Sequence, residues 1–320
     1  MTAIYFAPME SVTTGLYRRI HQKYFSGIDQ YFTPFISVNQ SHHFKKREER
    51  ELSSGEDQTR LVPQIMTKSP EDLHWAAEAL LKRGYHEMNL NTGCPSATVV
   101  TKGKGAGLLI DPQKLDAFFY DVFAGMPEDM QFGIKSRVGM KAEEELPALI
   151  DIWNRYPFRE IIIHPRLRED YYNGKPRMNL FRDCIRGCRA SVCYNGDINS
   201  VSDFLALKAA FPEVSAVMIG RGLIADPALA REIKGREPLN AEELKQFHEE
   251  LLQGYLELLS GERDVLFKMK DLWTYMNRSF QDGAEILKRI RRSRNLSEYH
   301  RAVETAWSSF RAKRLQAGNS

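Results

Sequence analysis

Met88-Asn89-Leu90-Asn91-Thr92-Gly93-Cys94-Pro95-Ser96, followed by Lys102-Gly103-Lys104-Gly105-Ala106-Gly107, is the stretch that decides the fold. A short apolar run ends in a polar Asn, then a Gly, then a Cys set against a Pro. A glycine- and lysine-rich loop follows, and Asp111-Pro112 opens a helix through Leu115, Phe118, Phe119 and Val122. The pattern is a buried strand that presents a thiol at its C-terminal edge and leads through a glycine-rich loop into a helix.

The same unit recurs on both sides of it. Apolar runs at Ala3–Met9, Gln30–Val38, Leu61–Met66, Glu87–Asn91, Phe132–Arg137, Glu160–Arg166, Ser191–Asp197 and Ala216–Gly222 read as strands. Helical spacing separates them, at Leu16–Phe25, Glu143–Trp153, Asn179–Arg189, Val201–Ala210 and Ala228–Ile233. The clearest helix start is Ser69-Pro70-Glu71-Asp72, with an N-cap Ser, a Pro in the first turn and acids beside it; Gly84 ends that helix. The mixed-charge run Lys45–Glu51 reads as a solvated face or short helix.

Eight strand–helix alternations in roughly 235 residues predict a (β/α)8 TIM barrel, a fold of typically ~250 residues. A doubly wound sheet is the rival. The barrel is preferred because nearly every strand ends in a chemically useful group: Met9, Gln64, Asn91 with Cys94, Lys135, His164, Asn195 and Arg221. A barrel gathers such ends on one face, whereas an open sheet spreads them along an edge.

Composition shifts near Gly235-Arg236-Glu237-Pro238, where strand signals stop. We therefore divide the chain into a catalytic barrel, 1–236, and a C-terminal helical domain, 237–320, with helices at Ala241–Leu259, Asp264–Met276, Ala284–Arg291 and Ser297–Phe310. The late part is basic, with Lys288, Arg289, Arg291, Arg292, Arg294, Arg301, Arg311, Lys313 and Arg314 opposed by Glu298 and Glu304. Alone, such a run is a solvated helix face as readily as a nucleic-acid contact.

The bulk numbers bound the rest. The 320 residues are 42% hydrophobic and 27% charged, ordinary values for a globular protein. The net charge of +3 is too small to announce a nucleic-acid binder by itself. The cysteines at 94, 184, 188 and 193 do not form a disulfide framework, and a reducing, cytoplasmic setting is expected. No stretch reaches the ~20 apolar residues that would span a bilayer, and the N-terminus lacks the pattern of a signal peptide. No metal site is expected, because Cys184 and Cys188, one helical turn apart, have no partners at a convincing spacing.

Several strand ends carry chemistry. Asn195-Gly196-Asp197 and Gly220-Arg221-Gly222 close the last two strands, the usual place in a barrel for a phosphate held by loop amides and an Arg; otherwise the glycines only make tight turns. Lys135 and His164 suggest an anionic ligand. Gln64 and Asn91 offer neutral groups of the kind that read a heteroaromatic edge. Cys94 is either a small buried hydrophobe or a thiol acting as acid or nucleophile, and no Cys-x-x-Cys surrounds it.

With these residues in view, the chain resembles the flavin-dependent tRNA-dihydrouridine synthases. The matching elements are Ala7-Pro8-Met9; Asn91-Thr92-Gly93-Cys94-Pro95-Ser96 with Gly103-x-Gly105-Ala106-Gly107-Leu108-Leu109; Lys135-Ser136-Arg137; His164-x-Arg166 with Tyr172 and Gly174; Asn195-Gly196-Asp197-Ile198; and Met218-Ile219-Gly220-Arg221-Gly222. The chain departs from the family at Thr92, usually apolar, and at Pro165 and Leu167, usually Gly and Thr.

The resemblance implies FMN across the barrel mouth. Pro8 and Met9 would back its ring system, and Gln64, Lys135 and His164 would meet its polar parts. Asn195, Gly196, Asp197, Gly220 and Arg221 would form the phosphate end. It also implies tRNA as substrate and NADPH or NADH as reductant. Asn91, Lys102, Arg137, Arg166, Arg289 and Arg292 would serve the RNA. Cys94 would be the general acid that protonates C5 of a uridine after hydride reaches C6. An acid is required there because hydride addition leaves an enolate-like anion, and the uridine must leave its stack to reach the site. The rival enzyme reading is an FMN barrel acting on a small molecule, of dihydroorotate or enoate type. A monomer is expected.

Overall fold

The computed structural model describes residues 1–38, 41–53 and 60–310; the predicted cations Arg311, Lys313 and Arg314 lie outside these. Nine strand segments form one parallel sheet: β1 (Ala3–Phe6), β2 (Gln30–Phe32), β3 (Leu61–Val62), β4 (Gln64–Ile65), β5 (Glu87–Thr92), β6 (Gln131–Arg137), β7 (Glu160–His164), β8 (Ser191–Asn195) and β9 (Ala216–Ile219). Their order is β3-β2-β1-β9-β8-β7-β6-β5-β4. Only Pro63 separates β3 from β4, so the two ends of the series are one strand and the sheet closes into a barrel. Proline has no N–H to give the ladder and splits that strand, while its carbonyl still accepts from Asn89 N at 3.0 Å.

Parallel strands covered on both faces need near-continuous apolar runs. The Glu160–His164 run is buried throughout. The interior layer is built by Tyr5, Phe32, Val62, Ile162, Cys193 and Met218. Ser69 caps helix Pro70–Leu81 by accepting from Asp72 N at 3.1 Å, as its sequence predicts. The last strand ends at Ile219 and the chain turns helical at Arg221–Ala225 directly after Gly220, where the sequence reads as strand to Gly222 with its helix from Ala228.

The compact units do not follow the division at 236. One comprises Met1–Pro8, Asp29–Asp197 and Glu213–Met218; the other comprises Met9–Ile28, Ile198–Pro212 and Ile219–Ser320. The second unit includes helix Gly15–Tyr24 because Tyr17 and Phe25 pack edge-on against Phe247 of helix Ala241–Leu258, with centroids 5.5 and 5.1 Å apart. Its other C-terminal helices are Glu262–Met276, Gly283–Arg292 and Leu296–Trp307.

The N-terminal end of the barrel holds a buried acid. Tyr5 donates to Glu160 Oε1 at 3.2 Å. Burial, and then the neighbouring Glu87, push the Glu160 carboxyl up from 4.5 to about 7. Folding therefore favours its protonated form. The resulting penalty is absent below about pH 4.5, grows as pH rises toward 7 and is constant above it. Glu160→Gln is expected to raise stability at pH 8 by up to about 3 kcal/mol and to change it little at pH 4. Equal melting temperatures for variant and parent at pH 8 would contradict this.

Candidate active site

The C-terminal strand ends of the first unit bring the predicted polar residues together. Alternation sets Asn89 and Asn91 on one face of β5, and Lys135 and Arg137 on one face of β6. The register pairs Asn91 with Lys135, and Arg137 with His164. A chain of amides runs across β4 and β5. Gln64 Nε2 donates to Asn89 Oδ1 at 2.9 Å, and Asn91 Nδ2 donates to Gln64 Oε1 at 2.8 Å. Asn91 Oδ1 then accepts from the backbone N–H groups of Gly93 and Cys94, at 3.0 and 2.9 Å. Asn91 thus fixes the turn that carries the thiol, and Asn89, which the sequence reading passed over, orients Gln64.

Cys94 is half-buried and its loop is fastened on the other side too. Ala106 N donates to the Cys94 carbonyl at 3.1 Å. A Cβ on Gly105, whose φ is +57°, would lie 3.0 Å from Cys94 Cβ, so this close approach needs glycine. Thr92, the departure from the family pattern, is buried and donates its hydroxyl to the Lys135 carbonyl at 3.2 Å, tying β5 to β6 below the turn.

Lys135 keeps partial exposure at the mouth. Desolvation, followed by the charge of Arg137, draws its ammonium from 10.5 down to about 8. Both cations are within electrostatic reach of Cys94.

The two arginines read as facing RNA are buried, at 1% exposure for Arg137 and 0% for Arg166. Arg137 donates to the carbonyls of Gly93, Leu167 and Tyr171 at 2.9, 2.7 and 2.6 Å. Arg166 donates to both oxygens of Asp197, at 3.2 and 2.6 Å, to Gly174 O at 2.6 Å and to His164 Nε2 at 2.9 Å. A guanidinium has no acceptor, so His164 Nε2 accepts and the ring carries its proton on Nδ1. The arginines therefore strap down the segment after β7, in which Tyr171 is strained at φ 50°. Tyr172, 56% exposed, lies with its ring 6.2 Å from that of His164 and 5.5 Å from the Arg137 guanidinium. Arg177 pins the far end through Asp170, at 3.0 Å, and Glu143, at 2.6 Å.

Asn195 Nδ2 donates to Met218 O at 2.8 Å, stitching β8 to β9. Gly196 precedes Asp197, and Pro8 follows β1, in the same unit. Lys102, exposed in the loop after β5, also belongs to the first unit, and the other predicted residues, Met9, Gly220, Arg221, Arg289 and Arg292, belong to the second. There Met9 sits in a tight turn, its N–H donating to Thr13 Oγ1 at 2.8 Å. Gly220 caps the short helix that begins at Arg221, and a Cβ on Gly222 would meet Ile198 O at 2.1 Å. Helix Gly283–Arg292 buries Ile286 and Ile290 and exposes its cations. Arg289 lies 3.6 Å from Glu285 on that helix, and Arg292 is exposed at its end.

Residues 5–316 match the family model for dihydrouridine synthase. A tRNA-dihydrouridine(16) synthase of Ralstonia nicotianae is 27% identical over 99% of this chain and 100% of its own length. A probable tRNA-dihydrouridine synthase of Staphylococcus aureus is 26% identical over 91% of this chain and 89% of its own. A solved structure of morphinone reductase in complex with tetrahydroNAD shares the fold, with a TM-score of 0.51 and 11% identity over 74% of this chain and 88% of that one. The parallel barrel, the anchored Asn-x-Gly-Cys-Pro turn at its mouth and the match over nearly the full length agree: the chain belongs to the dihydrouridine synthase family.

Proposed function

We propose that this protein reduces the C5–C6 double bond of uridines in tRNA, with FMN in the barrel mouth and NADPH or NADH as reductant. The observation that carries this reading is the Cys94 turn, held by Asn91 beside the Gln64–Asn89 amides and Lys135. The donor set suits a flavin. Amide groups and a cation line one side of the mouth, matching the carbonyl and nitrogen edge of an isoalloxazine. Asn195 and Gly196, with Gly220 and Arg221, are offered as the phosphate end, and Pro8 and Met9 as backing for the ring.

Bound FMN, recharged by the nicotinamide nucleotide, supplies hydride for C6 of the uracil. Cys94 holds the proton that C5 receives. Asn91 fixes the thiol's direction through the backbone of its own turn, and His164, locked as the Nδ1–H tautomer, orients the uracil or the ring. Arg137 and Arg166 act by holding the segments around the site. The exposed basic helix with Arg289 and Arg292 takes RNA phosphates, which position the substrate without reading its sequence.

Lys135 gives a pH test. Desolvation draws the Lys135 ammonium down to about 8, so FMN affinity should fall as pH rises through that value. Lys135→Met should weaken FMN binding about tenfold or more at pH 7, the value of one hydrogen bond to a charged group, and should remove the dependence between pH 7 and 9. An FMN dissociation constant in the parent that is flat across that range would exclude this role. The activity itself is tested with unmodified tRNA, NADPH and the flavin-loaded protein. Dihydrouridine is the expected product, and position 16 is the first to examine because the Ralstonia relative is named for it.

A further inference from the structure

Three lysines stand at the rim beside the Cys94 turn. Lys68 follows β4, and Lys102 and Lys104 flank Gly103 in the loop after β5. Gly103 has φ +70°, and a Cβ built on it would lie 3.4 Å from Lys68 Cδ and 3.8 Å from its Nζ. The Lys68 side chain therefore lies against the loop at Gly103, the residue that Lys102 and Lys104 flank in the chain. Consecutive Cα atoms are 3.8 Å apart, so the backbones of Lys102 and Lys104 adjoin the residue against which the Lys68 side chain lies.

Lys68 and Lys102 are exposed and Lys104 is half-buried. Among the described residues, no carboxylate pairs with any of the three. Like charges gathered at one loop repel, and no carboxylate among the described residues is paired with them to offset that repulsion. The cluster is also fixed relative to the thiol, because the same loop returns through Gly105 and Ala106 to pack on Cys94. Ammonium donors around one glycine loop, without a carboxylate partner among the described residues, match the charge and the several acceptor oxygens of a phosphate.

We propose that Lys68, Lys102 and Lys104 form a phosphate-binding site at the barrel mouth, distinct from the phosphate end offered for FMN at the last two strands. The site goes beyond the functional reading and rests on it for its two sources. One is a backbone phosphate next to the extruded uridine, and the other is a phosphate of the nicotinamide nucleotide. The RNA is favoured, because a base directed at Cys94 brings its own backbone to the adjoining loop.

The test is binding, not turnover. Affinities of the flavin-loaded protein for unmodified tRNA and for NADPH are measured against salt for the parent, Lys68→Ala and the Lys68→Gln/Lys102→Gln/Lys104→Gln triple variant. Flavin content and melting temperature serve as folding controls. Lys68→Ala should weaken tRNA binding about 3–10-fold at low salt, and the triple variant more than 30-fold. Each lysine lost should reduce the slope of log affinity against log salt by about 1. Weakened NADPH binding with tRNA affinity intact would keep the phosphate site and assign it to the reductant. Unaltered affinity for both ligands in a triple variant that still holds flavin would overturn the proposal. A parent that binds tRNA but forms no dihydrouridine would defeat the functional reading and leave this site standing.

Discussion

Cys94→Ala is expected to lower the rate of dihydrouridine formation by about 10²–10⁴-fold, the usual contribution of a positioned general acid. The flavin should stay bound and still be reduced by NADPH, because the turn is held by backbone groups. Asn91 Oδ1 contacts the N–H groups of residues 93 and 94, and Ala106 contacts the carbonyl of residue 94. The defect should lie in the half-reaction with tRNA, read as the rate at which added tRNA reoxidises reduced flavin in single-turnover experiments. Cys94→Ser restores a hydroxyl, a far weaker acid, and should recover only part of the loss. Reoxidation of the Ala variant at the parental rate would remove the general-acid role.

Asp197→Ala is expected to be the most destabilising change near the site. Arg166 is fully buried and Asp197 provides its only counter-charge among the described ion pairs, while the carboxylate itself is 32% exposed. Removing the carboxylate strands a buried guanidinium, a loss on the order of 3 kcal/mol. In a domain of this size that is a fall of roughly 5–10 °C in melting temperature. The same change loosens the donor that fixes the His164 tautomer, so turnover should fall as well. Asp197→Glu, which keeps the charge, should recover part of both. A melting temperature within about 1 °C of the parent would show that Arg166 does not depend on this pair.

The two substitutions also mark what the sequence disclosed. The strands were legible because parallel strands buried on both faces must be written as apolar runs, as at Glu160–His164. The ends of those strands were legible as chemistry because few folds gather so many polar termini. Burial was not legible. Arg137 and Arg166 read as cations at strand ends, and nothing in the sequence says that their guanidinium groups turn inward to loop carbonyls and Asp197. Asn89 was overlooked because an Asn inside a strand carries no signal until its partner Gln64 is placed beside it. The compact units were hidden for a similar reason. The contact of Tyr17 and Phe25 with Phe247 joins segments more than 200 residues apart, whereas composition registers only the change near Gly235. Thr92 is the opposite case, a departure from the family pattern that the fold explains through its bond to the Lys135 carbonyl.

At the Cys94 turn, the chemistry assigned to this protein is uridine reduction in RNA. Its most direct measurement is mass spectrometry of nucleosides from unmodified tRNA after incubation with the flavin-loaded protein and NADPH. A uridine that gains two hydrogens is expected with the parent protein, and no such product with Cys94→Ala. An unreduced tRNA with the parent, despite a flavin that NADPH reduces, would contradict it.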